Sequence, residues 1–116
     1  MRWRNGSHRC ARWVENIPDV ILYKPAGVPL RDMEIVEISI VEIEAVRLTD
    51  LEGLTQEEAA RKMGISRRSF WNDLMTARKK IAYALSKGCA IQIINGNVRI
   101  SKRTDENKKT DEKEEE

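Results

Sequence analysis

The chain is poor in the residues on which most site chemistry is built. It has two cysteines and one histidine in 116 residues. Cys10 and Cys89 stand far apart, at a separation that fits neither a zinc-ligand spacing nor a redox pair. A metal site on His8 and Cys10 would need two further ligands, and the sequence offers no such set. Aromatic residues are 5% of the chain and hydrophobic residues 41%, so the core is small. No apolar run approaches the roughly 20 residues of a membrane-spanning helix, and the basic N-terminus lacks an apolar stretch of signal-peptide length. A cytoplasmic protein with no membrane partner is expected. The carboxylates Glu42, Glu44, Glu57 and Glu58 are accompanied by no histidine, nucleophile or phosphate loop. No catalytic constellation can be assembled from them, and neither enzyme activity nor a cofactor is expected.

Charge is plentiful but unevenly placed. Charged residues make up 34% of the chain and the net charge is +2. Asp105 to Glu116 holds seven acids against three lysines, a net −4, which leaves +6 on the remainder. A basic body with an acidic tail points to a polyanion partner. Met1 to Trp13 carries Arg2, Arg4, Arg9 and Arg12 with no acid. It reads either as a solvated arm or as a basic arm that follows phosphates or enters a minor groove. From Ser101 onward nothing is available to bury, and disorder is expected. The division is a basic arm over 1–17, a folded domain over 18–101 and a charged tail over 102–116.

The best-patterned stretch is Leu54 to Lys80. Thr55 and Glu58 have the T-x-x-E spacing of a capping box, which starts a helix. Ala59, Ala60 and Met63 share one face of it. Gly64 stands where the helix ends and a left-handed residue is needed. Ile65 fills the turn, and Ser66 caps a second helix running to about Ser86, with Lys87-Gly88 as its stop. Its apolar stripe is Phe70, Leu74, Ala77, Ile81 and Leu85. Lys79 and Lys80 suit the negative end of the helix dipole if the helix stops soon after them. Upstream, Ser39 and Glu42 form another capping box. It starts a helix from Ile40 to about Leu51, with Ile43, Val46 and Leu51 towards the core. The three helices form a helix-turn-helix unit.

The β element is smaller. Val20–Tyr23 is a short strand ended by the turn Lys24–Pro29. Glu34–Ser39 is ambiguous and can be extended. Cys89 to Ile94 reads as a strand. Asn95-Gly96 signals a type I′ hairpin returning through Asn97 to Ile100, paired with Val20–Tyr23 or with a second subunit. The fold class is therefore mainly α with a small β element: a three-helix helix-turn-helix domain, winged-helix-like, with a C-terminal β-hairpin.

The Arg-rich start, YKPAGVPLRDME, EAVRLTDLEGLTQEEAARKMGISRRSF and ARKKIAYAL together resemble a small prokaryotic family. Its members are uncharacterised, predicted DNA-binding proteins with a sigma-factor region-4-like helix-turn-helix. The resemblance covers roughly Arg9 to Ile94. It implies a DNA-binding role in transcription, in the nucleoid, and no known enzyme activity. This chain departs from the family pattern in having only Cys10 near its start. It departs again at Trp71-Asn72, where relatives tend to carry a small residue and then a basic one.

A second helix lying in a major groove would present Arg67, Arg68, Ser69, Trp71 and Asn72 to the bases. Arginine can donate twice to guanine, and asparagine can pair bidentately with adenine. Ser66, Arg78 and Lys79 would serve the backbone or a base edge. Thr55, with the N–H groups of its helix, would hold a phosphate, and Arg9 and Arg12 would act from the arm. Each has a plainer reading: Arg67 and Arg68 as solvated first-turn residues, Trp71 as a packing or interface residue. The expected partner is double-stranded DNA, read through helix 66–86 by a homodimer whose two chains pair along an unpaired hairpin edge. RNA polymerase is a further candidate partner, with Trp71 as the anchor.

Overall fold

A computed structural model of the chain describes residues 11–95 and 98–100. The two capping boxes set the helix starts. Ser39 Oγ accepts from the Glu42 N–H at 3.1 Å, and Glu42 Oε1 accepts from the Ser39 N–H at 2.9 Å. Helix α1, Ile40–Val46, follows and continues into a wider turn, Arg47–Leu51. There the Glu52 N–H donates to the Arg47 carbonyl at 2.8 Å, spanning five residues instead of four. Thr55 and Glu58 make the same reciprocal bonds at 3.1 and 2.9 Å and open α2, Gln56–Met63. Helix α3, Arg67–Lys87, is 21 residues long, which at 1.5 Å per residue is about 31 Å.

Three apolar clusters run along α3. Its first half packs Phe70 and Leu74 against Val41, Ala45 and Leu48 of the first helical segment and Ala59, Ala60 and Met63 of α2. Ala77 meets Val14, Ile38, Ile40 and Ile93. Ala84 meets Val36 and Cys89. Helix α1 thus lies between a helical partner and a sheet, and buries apolar residues on two sides. Val41, Ala45 and Leu48 face the helices and Ile40 faces the sheet. Ile43 and Val46 are half-buried, and Leu51, past the widened turn, is 75% exposed. The expectation that Leu51 faces the core is corrected.

Leu85 is likewise 75% exposed, and Ala84 takes the core position. The cause is the change of partner along α3, since its C-terminal half rests on strands and the small Ala84 lets them approach. Lys80 also departs from expectation. The helix runs on to Lys87, so Lys80 is a mid-helix residue, fully buried against Glu42 rather than serving a helix end.

The strands form two small sheets. Strands β2 (Leu22–Tyr23), β3 (Ile35–Ser39) and β4 (Ala90–Ile94) are ordered β2-β4-β3. β4 is antiparallel to β2 and parallel to β3, with Val36 opposite Ile91 and Ile38 opposite Ile93. A parallel pair needs a long crossover, and the three helices between β3 and β4 supply it. Strands β1 (Arg12–Val14) and β5 (Val98–Ile100) pair in parallel apart from that sheet.

The expected C-terminal hairpin does not form. β4 has β2 on one side and β3 on the other, so no edge is left for β5. A central strand flanked on both sides buries its isoleucines far better than a two-stranded hairpin, which is marginal alone. The proposed pairing of Cys89–Ile94 with Val20–Tyr23 is found, at Leu22–Tyr23. The start of the chain also changes role. Val14 is fully buried and Arg12 nearly so, which makes Arg12–Val14 part of the folded unit rather than of a peripheral arm. The expected disordered tail lies outside the described residues.

Candidate functional site

The turn between α2 and α3 is built by three residues in succession. Gly64 takes φ 72°, the left-handed conformation in which a side chain costs energy. Its N–H donates to the Arg61 carbonyl and that of Ile65 to Ala60, both at 3.1 Å, closing the end of α2. Ile65 is half-buried against the helical core. Ser66 Oγ then accepts from the Ser69 N–H at 3.0 Å and donates to Ser69 Oγ at 3.1 Å, starting α3.

Strand β1 braces this turn from behind. Arg12 Nε donates to Asp73 Oδ2 at 3.0 Å in a pair with side chains 2% and 1% exposed. Next to it, the Trp13 ring lies so close to the turn that a Cβ on Gly64 would stand 3.0 Å from Trp13 Cδ1. Arg99 of β5 stacks on the other partner of that contact, 5.7 Å from the Trp13 ring centroid.

The turn brings the start of α2 beside the outer face of α3. Gln56, Arg67, Arg68, Trp71 and Asn72 line an open cleft of about 640 Å³. The structure therefore gathers four of the residues expected to read DNA, and adds Gln56. Spacing alone could not have found Gln56, which shares the helical side of Ala60 and Met63 and so reads as a core position. Its place at the very start of α2 carries it into the cleft. Trp71 is 45% exposed. Ser69 is half-buried, and Ser66 and Thr55 are exposed at the two helix starts. Thr55 Oγ1 already accepts the Glu58 N–H, and the return bond from the Thr55 N–H holds the Glu58 carboxyl below its ordinary pKa.

Five other cations among the described residues are committed to acids, Arg12 among them. Lys80 Nζ meets Glu42 Oε1 at 2.8 Å. Glu15 takes Lys62 at 2.6 Å and Arg47 at 3.1 Å, and Arg47 also meets Glu44 and Glu52. Its bonds to Glu44 raise the Arg47 pKa further. Arg78 grips both carboxylate oxygens of Asp50, at 2.7 and 3.1 Å, which raises its pKa in turn. Arg78 is therefore exposed but already engaged. Arg67, Arg68 and Lys79 are exposed and make no ion pair among the described residues, and the same holds for Arg31, Arg61, Lys87 and Arg99, which lie outside the cleft. Arg12 is corrected as a surface contact, because its side chain is turned inward onto Asp73. Arg9 lies outside the described residues.

Among the described residues, no three His, Cys, Asp or Glu side chains are grouped to hold a metal ion. No described helix is long and apolar enough to cross a membrane. At the far end of α3, Tyr83 Oη donates to Glu34 Oε1 at 2.8 Å. This bond lowers the Glu34 pKa and raises that of Tyr83, and burial raises that of the nearby Cys89 thiol.

These features define a small domain of three helices and a small mixed sheet, with an uncompensated basic cleft at one end of its longest helix. The chain belongs to the family described as protein of unknown function DUF134, which it matches over residues 1–101. A UPF0251 protein of Methanosarcina acetivorans is 50% identical over 111 residues, covering 96% of this chain and 99% of that protein. One of Halothermothrix orenii is 53% identical over 91 residues, covering 78% and 67%. The UPF0251 protein TTE1845 of Caldanaerobacter subterraneus subsp. tengcongensis is 47% identical over 89 residues, covering 77% and 75%. No solved structure matches the chain.

Proposed function

We propose that this protein binds double-stranded DNA and regulates transcription. In this reading α2 and α3 are a helix-turn-helix of the sigma-factor region-4-like kind, and α3 enters the major groove. The observation that carries it is the cleft: Arg67 and Arg68 stand exposed and free of acid partners beside Gln56, Trp71 and Asn72. Arg67 and Arg68 offer guanidinium forks to guanine, and Asn72 and Gln56 offer amides to adenine. Ser66, Ser69 and Lys79 lie where backbone contacts fall. The Thr55 hydroxyl hydrogen and the first N–H groups of α2 face a phosphate.

One short reading helix contacts few base pairs, and pairing two chains on half-sites about 34 Å apart is the usual remedy. The pairing surface we favour is the outer edge of β2, where Val20, Ile21 and Tyr23 are each more than half exposed. Trp71, a large exposed ring on a polar face, supports a second reading in which the cleft also docks RNA polymerase.

The test is binding of genomic DNA fragments at several salt concentrations. Affinity should fall steeply with salt. Arg67→Ala or Arg68→Ala should cost about 1–3 kcal/mol where a guanine contact is lost and relax preference at that base pair. Salt-insensitive binding, or none, would sink the DNA reading, and retention of polymerase subunits instead would favour the second.

A further inference from the structure

We propose that the acidic C-terminal segment of this same chain, residues 105–116, docks on the cleft face of Arg67, Arg68 and Trp71. The docking itself follows from charge and tether. Only its consequence, competition with DNA for that face, rests on the function proposed above.

The charges are complementary and otherwise unspent. Five of the last six residues are acids, Asp111, Glu112, Glu114, Glu115 and Glu116. Elsewhere on the domain Arg31, Arg61, Lys79, Lys87 and Arg99 also lack a carboxylate but do not line the cleft, while Arg12, Arg47, Lys62, Arg78 and Lys80 already hold one. An anionic segment would have to displace a native partner there. At Arg67 and Arg68 it displaces only water. Guanidinium groups bind carboxylates through paired N–H bonds, the same geometry they use towards phosphate.

The tether leads to the right place. The last described residue of β5, Ile100, lies opposite Val14 of β1. The adjacent Trp13 touches Gly64, three residues before Arg67. The chain therefore leaves the fold one strand away from the α2–α3 turn. The 16 residues that follow Ile100 span at most about 55 Å when extended, far more than this separation requires. A short tether gives the segment an effective concentration on the order of 1 mM at the face. An intrinsic dissociation constant of about 0.1–0.5 mM then suffices to hold it there most of the time. Free DNA would have to compete with it, and salt would weaken both contacts together.

The experiment compares the full chain with a full-length variant carrying Asp111→Asn, Glu112→Gln, Glu114→Gln, Glu115→Gln and Glu116→Gln, by ¹H–¹⁵N NMR at low salt. Neutralisation should shift the Arg67, Arg68 and Trp71 amides and the Trp71 indole N–H. Raising salt should shift the wild-type signals in the same direction and leave those of the variant nearly unmoved. Affinity for a 20-base-pair duplex at low salt should rise about 3- to 10-fold in the variant, the factor expected when a tethered competitor is removed. Unmoved α3 signals overturn the proposal, as do shifts confined to Arg2, Arg4 and Arg9, which would place the segment on the basic start of the chain. If the α3 signals move but neither protein binds any duplex, the docking stands and the DNA reading falls.

Discussion

Replacing Lys80 by methionine removes the buried cation that ties α3 to α1. Lys80 Nζ lies 2.8 Å from Glu42 Oε1, with both side chains 2% exposed. Glu42 also accepts the Ser39 N–H, and its Oε2 is buried with no hydrogen-bond partner among the described residues. Without Lys80 the carboxylate would keep one backbone donor in an apolar surrounding. Breaking a buried pair from one side costs about 3–5 kcal/mol. A domain of this size is stable by only about 5–15 kcal/mol. At about 4–8 °C per kcal/mol, the melting temperature should fall by at least about 12 °C.

Glu42→Met should cost as much or slightly more, since it strands the ammonium and removes half of a capping box. The double variant, Glu42→Met with Lys80→Met, replaces the pair by apolar bulk. It should lose only about 1–2 kcal/mol, mostly the cap. Urea titrations followed by helical circular dichroism, with the slope checked for constancy, measure all three. A cost below about 1 kcal/mol for Lys80→Met would refute the reasoning. So would a double variant whose loss equals the sum of the singles, because the two charges would then not be coupled.

Gly64→Ala should destabilise by about 1–2 kcal/mol from its left-handed backbone alone, and further through the approach to Trp13. Adding Trp13→Leu should recover the second part and not the first in thermal unfolding. Thr55→Ala should cost about 1 kcal/mol by leaving the Glu58 N–H without its acceptor, measurable by denaturant titration. Tyr83→Phe should flatten the pH–stability profile at both ends. Glu34, with its pKa lowered in the fold, contributes stability above its ordinary range near 4.5 that is lost as pH falls through the lowered value. Tyr83, with its pKa raised, contributes below its ordinary 10.0 and loses that contribution as pH rises through the raised value. An unchanged profile at both ends would contradict this bond.

Short-range patterns carried the helical half of the fold and the outline of the cleft. Both capping boxes, Gly64 and Gly88 belong to local chemistry, where one side chain meets a backbone group a few residues away. The start of each helix and both left-handed stops were therefore legible. So was the exposed face of α3, because Arg67, Arg68, Trp71 and Asn72 fall off its apolar stripe.

The tertiary structure decided whatever depends on a distant partner. Asn95-Gly96 carries a hairpin signal, yet β4 gains more by lying between two strands brought to it by the crossover. Arg12 and Lys80 look like surface cations, and only the fold shows Asp73 and Glu42 waiting in the interior. The two charges of each pair stand 61 and 38 residues apart, a separation no local pattern can encode. By local chemistry the sequence determined three helices and the turn between the last two. Long-range packing and charge pairing alone decided which strands meet, which cations are spent inside, and that Arg67 and Arg68 are among those left free to meet a polyanion.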